Sequence, residues 1–182
     1  SVLICGLSFF LGLIHWVFIG SFLSWIWLIL MSISLGFSLH WIHIYLRPLH
    51  NTLKVLWGLG CMGILIMSLF LGINNILPTL RYQPYWTIAI GPIFAALTGL
   101  GFKEFFCFRR VEAFGLTILL PIALLGHISH LINPTIVFAL VSLSSTLLLI
   151  LSIRKFGLDP AADIGDKSIF EYLKSQSSEL TV

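Results

Sequence analysis
Charge is what this chain has least of. Of its 182 residues only 9% are Asp, Glu, Lys or Arg, while 58% are apolar or aromatic, far from the balance of a soluble domain. Mean hydropathy is +1.04. Cysteine is scarce too: Cys5, Cys61 and Cys107 each sit inside an apolar run, with no CxxC spacing. An odd set of this kind argues against a disulfide framework and against a zinc site, so no metal is expected. HExxH, GxSxG and a Walker loop are all missing, as is any spaced acidic pair facing a basic cleft, and the expectation is a protein that is not an enzyme. Internal repeats and low-complexity segments are absent. Strands are excluded because an open sheet leaves backbone groups unsatisfied in hydrocarbon. The chain opens on Ser1, already apolar and without Met, which leaves room for a natural N-terminus and a targeting peptide upstream.

What is present is a series of apolar runs, each near the ~20 residues that cross a bilayer. They run from Ser1 to Ile19, Phe22 to about Leu46, Thr52 to about Ile73, Tyr85 to Phe108, Ala113 to Ile132, and Thr135 to Ile153. Asn74 to Pro84 reads as the first real loop. The fold class predicted is all-α: a polytopic membrane protein with six transmembrane helices. It divides into a six-helix domain over residues 1–153 and a polar C-terminal tail over 154–182. Six spans leave both termini on one side. Of the ten Lys and Arg residues, Arg47, Lys54, Lys103, Arg109, Arg110, Arg154, Lys155, Lys167 and Lys174 fall on that side, and Arg81 alone on the other. The positive-inside rule makes the crowded side cytoplasmic or stromal.

Within this frame one stretch stands out, Gly99-Leu100-Gly101-Phe102-Lys103-Glu104-Phe105-Phe106-Cys107-Phe108-Arg109-Arg110-Val111-Glu112. A lysine and a glutamate enter before the apolar run has ended. An ionisable side chain at mid-membrane costs about 2.5–3.5 kcal/mol, less near the interface, so it is paired, hydrated or used. Adjacent residues lie ~100° apart on a helix. Lys103 is therefore expected to snorkel to headgroups. Glu104 is expected to turn inward to span two and meet His40, His43 or Arg47, an ion pair joining spans two and four. The same groups could form an intramembrane proton or ion site. Glu112, beside Arg109 and Arg110, reads as solvated interface.

Six histidines are the other chemical feature. His40/His43 and His127/His130 each have i,i+3 spacing and share a helix face, and His15 lies near the far end of span one. The pairs fall at opposite membrane faces and cannot share one metal. The plain reading is hydrogen bonding to neighbouring helices; the functional one is axial ligation of chlorophyll magnesium by His40, His43, His127 or His15. Haem is the weaker candidate, because bis-histidine ligation needs histidines of two spans at one depth, which only His15 with His127 or His130 could meet. In the tail, Asp159-Pro160 and Asp166 suit helix starts. Ile169, Phe170 and Leu173 would form one apolar edge for docking on a partner or the membrane.

Several stretches then resemble a known family. These are His43-Ile44-Tyr45-Leu46-Arg47-Pro48-Leu49-His50, Ala96-Leu97-Thr98-Gly99 running into Gly101-Phe102-Lys103-Glu104-Phe105-Phe106-Cys107-Phe108-Arg109, Leu125-Gly126-His127, and Asp163-Ile164-Gly165-Asp166-Lys167-Ser168. Together, over roughly Gly36 to Lys174, they resemble small uncharacterised integral membrane proteins of cyanobacteria and plastids, classed as a domain of unknown function. That resemblance implies a thylakoid location and association with photosynthetic complexes, with chlorophyll and carotenoid held by contact. The expected role is an accessory or assembly subunit of a photosystem or other thylakoid complex, surrounded by membrane lipids and with no nucleic-acid partner. The alternative is a small ion, proton or metabolite transporter using Glu104 and the histidines.

Overall fold
The structure is a computed structural model; it describes residues 1–41 and 47–156, with Arg47 defined by its backbone alone. Among the described residues seven α-helices follow one another: α1 Val2–Phe18, α2 Trp25–Trp41, α3 Arg47–Leu71, α4 Ile76–Tyr82, α5 Thr87–Phe108, α6 Val111–Ile128 and α7 Pro134–Phe156. No strand occurs among the described residues. Four helical stretches among the described residues are long and apolar enough to cross a membrane: Pro48–Leu71, Pro84–Phe108, Val111–Ile128 and Pro134–Phe156. The apolar helices α1 and α2 have 17 residues each, ~25 Å at 1.5 Å per residue.

Several boundaries differ from the sequence reading, four of them with consequences for the fold. α3 starts at Arg47, ahead of Thr52, because Pro48 fits a first helical turn whose N–H groups have no partner anyway. The loop from Asn74 to Pro84 holds α4, a short helix that buries Ile76 and Leu80, an i,i+4 pair on one face. α6 stops at Ile128, before His130 takes a left-handed φ of 56°. α7 runs on through Arg154 and Lys155 to Phe156.

The six long helices close a ring. α1 packs between α2 and α7, α7 continues onto α6, α6 onto α5, and α5 onto α3, while a smaller α2–α3 contact completes the circuit. α5 is flanked by α3 and α6 and also touches α2. Its buried positions Ile90, Ile93, Ala96, Leu97 and Leu100 recur at helical spacing. On the α3 side the approach is close: a Cβ on Gly60 would overlap Ile93, and one on Gly63 would overlap the Ala89 carbonyl. Small residues at such crossings let van der Waals contact replace the hydrophobic effect, which does not drive association in lipid. The buried serines of α2 and α7 satisfy themselves. Ser32, Ser38 and Ser144 donate to carbonyls four residues back, at 2.7, 2.8 and 2.8 Å. Trp57 donates its indole N–H to the Ser32 carbonyl at 2.8 Å and ties α3 to α2.

Candidate functional site
The charged end of the bundle is built by a tight hairpin. α5 ends at Arg109, which takes a left-handed φ of 49° and donates its N–H to the Phe105 carbonyl. Arg110 is extended, and α6 begins at Val111. A two-residue link brings the negative end of the α5 dipole beside the positive end of α6, where Glu112 sits in the first turn. The last turn of α7 arrives at the same level with Arg154 and Lys155.

Two carboxylates meet this cationic turn. Lys155 Nζ lies 2.6 Å from Glu104 Oε1, and Arg154 Nη1 lies 2.7 Å from Glu112 Oε1. Lys103 Nζ stands 3.3 Å from the same Glu104 oxygen. Glu104 is 1% exposed and Lys103 5%. The Glu104 Oε2 atom is buried with no hydrogen-bond partner among the described residues. Around the cluster, Lys103 Nζ and the Arg110 guanidinium lie over the Phe108 ring, at 5.3 and 5.6 Å from its centroid. Arg110 Nη1 also donates to the Leu151 carbonyl at 3.4 Å.

The expectation that Glu104 turns inward holds, but its cation stands on the last span. His40, at the end of α2, is exposed; His43 and the Arg47 side chain lie outside the described residues. Lys103 is corrected: it is buried and does not reach out to headgroups. The 100° argument presumed a narrow buried face, whereas α5 has neighbours on both flanks, so two adjacent side chains can both be inside. Glu112 is corrected as well, being 9% exposed and paired with Arg154 rather than solvated. Lys155 was missed because the polar tail was begun at Arg154. The signal was present: a buried glutamate needs a cation at its own depth, and cations gather in the last turn of a helix.

At the other end two histidines act as staples. His127 Nε2 lies 2.8 Å from the Leu80 carbonyl, and His15 Nε2 lies 2.7 Å from the Phe22 carbonyl. Leu80 is in the last turn of α4, where carbonyls lack an intrahelical donor, so His127 supplies the missing N–H. A carbonyl oxygen only accepts, so each Nε2 is the donor in its contact. His130 is exposed. Ile169, Phe170 and Leu173 lie outside the described residues. No group of three His, Cys, Asp or Glu side chains suited to a metal occurs among the described residues.

The cluster can neutralise two carboxylates and bind three consecutive helices into one unit. No curated protein and no solved structure matches the chain. A family model described as "Uncharacterized integral membrane protein" matches residues 37–172, a span that takes in the whole charged hairpin. The chain belongs to that family, DUF2301, and is an integral membrane protein.

Proposed function
We propose that the protein is a non-enzymatic accessory or assembly subunit of a photosynthetic complex in the thylakoid membrane, crossing the bilayer six times with both termini on the positive side. The observation that carries the non-catalytic reading is the use made of the charged groups. Glu104 and Glu112 are each engaged by a cation of α7, a use of charge that braces helices. The thylakoid and photosystem parts rest on the sequence resemblance. In support of six spans, α1 and α2 are members of the same helical ring as the four longer helices, and a bilayer thins locally around helices of ~25 Å. Nine of ten basic residues on one side support the orientation.

For pigment, His40 is the best-supported ligand. Its imidazole is exposed at the end of α2 and makes no hydrogen bond among the described residues, whereas His15 and His127 already hold backbone carbonyls. Mild-detergent fractionation tests the role: the protein is expected to migrate with a photosystem band, and migration only as a free monomer overturns the proposal. Transport through Glu104 has less support, since a carboxylate held by two ammonium groups has little attraction left for a passing cation. Proteoliposome flux that is abolished by Glu104→Gln, with the folded protein retained, would restore that reading.

A further inference from the structure
Toward the end opposite the charge cluster the helical ring lines a half-open cavity of about 510 Å³. α1, α2, α4, α5, α6 and α7 all line it, and α3 alone of the seven helices is absent. Its walls are mostly apolar, with Leu13, Met31 and Phe94 among them, and its polar features include Arg81, Thr87 and His127. Arg81 is exposed, on α4. The two carboxylates among the described residues, Glu104 and Glu112, are both engaged elsewhere. Glu104 stands seventeen residues along α5 from Thr87, or ~25 Å. No ion pair reaches Arg81 among the described residues.

Thr87 supplies an independent observation. It is 3% exposed, and its Oγ1 has no hydrogen-bond partner. Threonines elsewhere in this bundle return their hydroxyls to the carbonyl four residues back, as Thr98 and Thr117 do at 2.9 and 2.8 Å. Thr87 leaves a buried donor at the cavity wall. His127 adds a fixed frame: by holding the Leu80 carbonyl it sets the backbone next to Arg81.

We propose that this cavity binds a single-chain amphiphile with an anionic head, specifically a long-chain fatty carboxylate, with the tail among the apolar walls and the head on Arg81 and Thr87. At about 30 Å³ per water-sized group, 510 Å³ holds roughly seventeen heavy atoms, the size of one long tail. A small anion alone would leave most of an apolar cavity unfilled. The tail is as much at home in the bilayer as in the cavity, so its burial selects little. Discrimination falls on the head, where a charge-assisted hydrogen bond is the strong kind. This inference is independent of any role in a photosynthetic complex.

Trp16 and Trp27 line the cavity, so fluorescence quenching by 9,10-dibromostearate, with the full chain in nanodiscs, reads occupancy. The expected result is saturable quenching by the acid but only collisional quenching by its methyl ester. Arg81→Gln, an exposed change that leaves packing intact, should weaken binding by ten-fold or more, and Val141→Phe should remove it by filling the wall. Equal quenching by acid and ester, an unchanged affinity in Arg81→Gln, saturable quenching by a brominated diacyl lipid instead, or full displacement of the acid by millimolar inorganic phosphate would each overturn the proposal.

Discussion

Lys155 Nζ lies 2.6 Å from Glu104 Oε1 although the two residues stand 51 positions apart in the chain. The contact joins the last turn of α7 to α5, with α6 packed against both. Its neighbour Arg154 turns ~100° away and takes Glu112 of α6. Two consecutive cations thus clamp both arms of the α5–α6 hairpin.

The two halves of this clamp should differ in strength. Glu104→Ala removes the buried carboxylate that Lys103 and Lys155 share, and unfolding in detergent should register a loss of up to ~3–5 kcal/mol. Glu104→Leu combined with Lys155→Met should recover part of that loss, because an apolar pair of similar volume avoids desolvating two charges while Lys103 stays buried beside them. A double mutant as unstable as the sum of the singles would show that the residues do not act on each other.

Glu112→Gln is the matched control. Arg154 is 60% exposed in its side chain, so the pair is screened and its removal should cost no more than ~1 kcal/mol. The melting temperature of this variant should fall by clearly less than that of Glu104→Ala, measured in the same detergent.

Gly63→Ala should separate α3 from α5. The added methyl overlaps the Ala89 carbonyl, a backbone atom with no rotamer to yield, and overpacking of this kind costs about 1–3 kcal/mol. At Gly58 an added Cβ meets nothing within 4 Å. Gly58→Ala should therefore be neutral or stabilising by up to ~1 kcal/mol, since Ala loses less backbone freedom in a helix. Thermal unfolding of the two variants side by side distinguishes a crossing point from a general dislike of substitution on α3.

His127→Ala removes the donor held by the Leu80 carbonyl. A partly buried carbonyl left without a partner costs about 1–3 kcal/mol, and the effect should be local. Hydrogen exchange should rise across α4 while α3 and α5 stay protected. Uniform loss of protection through the bundle would mean that the staple supports more than this one turn.

The sequence by itself determined the all-α class, the membrane environment, the positions of the apolar runs and the unusual status of Lys103 and Glu104. Each of these follows from quantities carried along the chain: hydropathy over ~20 residues and the cost of a charge in an apolar run. The sequence also showed that Glu104 must find a partner at its own depth. Which partner was beyond it. Lys155 became that partner because α7 runs one turn further than its apolar stretch and packs beside the α5–α6 hairpin. Neither α7's extension into charged residues nor the order of helices around the ring is written in local pattern. The inward turn of Lys103 was hidden for the same reason, since a helix's buried arc depends on how many neighbours flank it. The cavity belongs wholly to tertiary structure: its wall draws on six helices, and Arg81 and Thr87 acquire meaning only because α4 and α5 contribute to the same wall. Periodicity reports which face of one helix is apolar; which helix lies against that face is decided by packing alone.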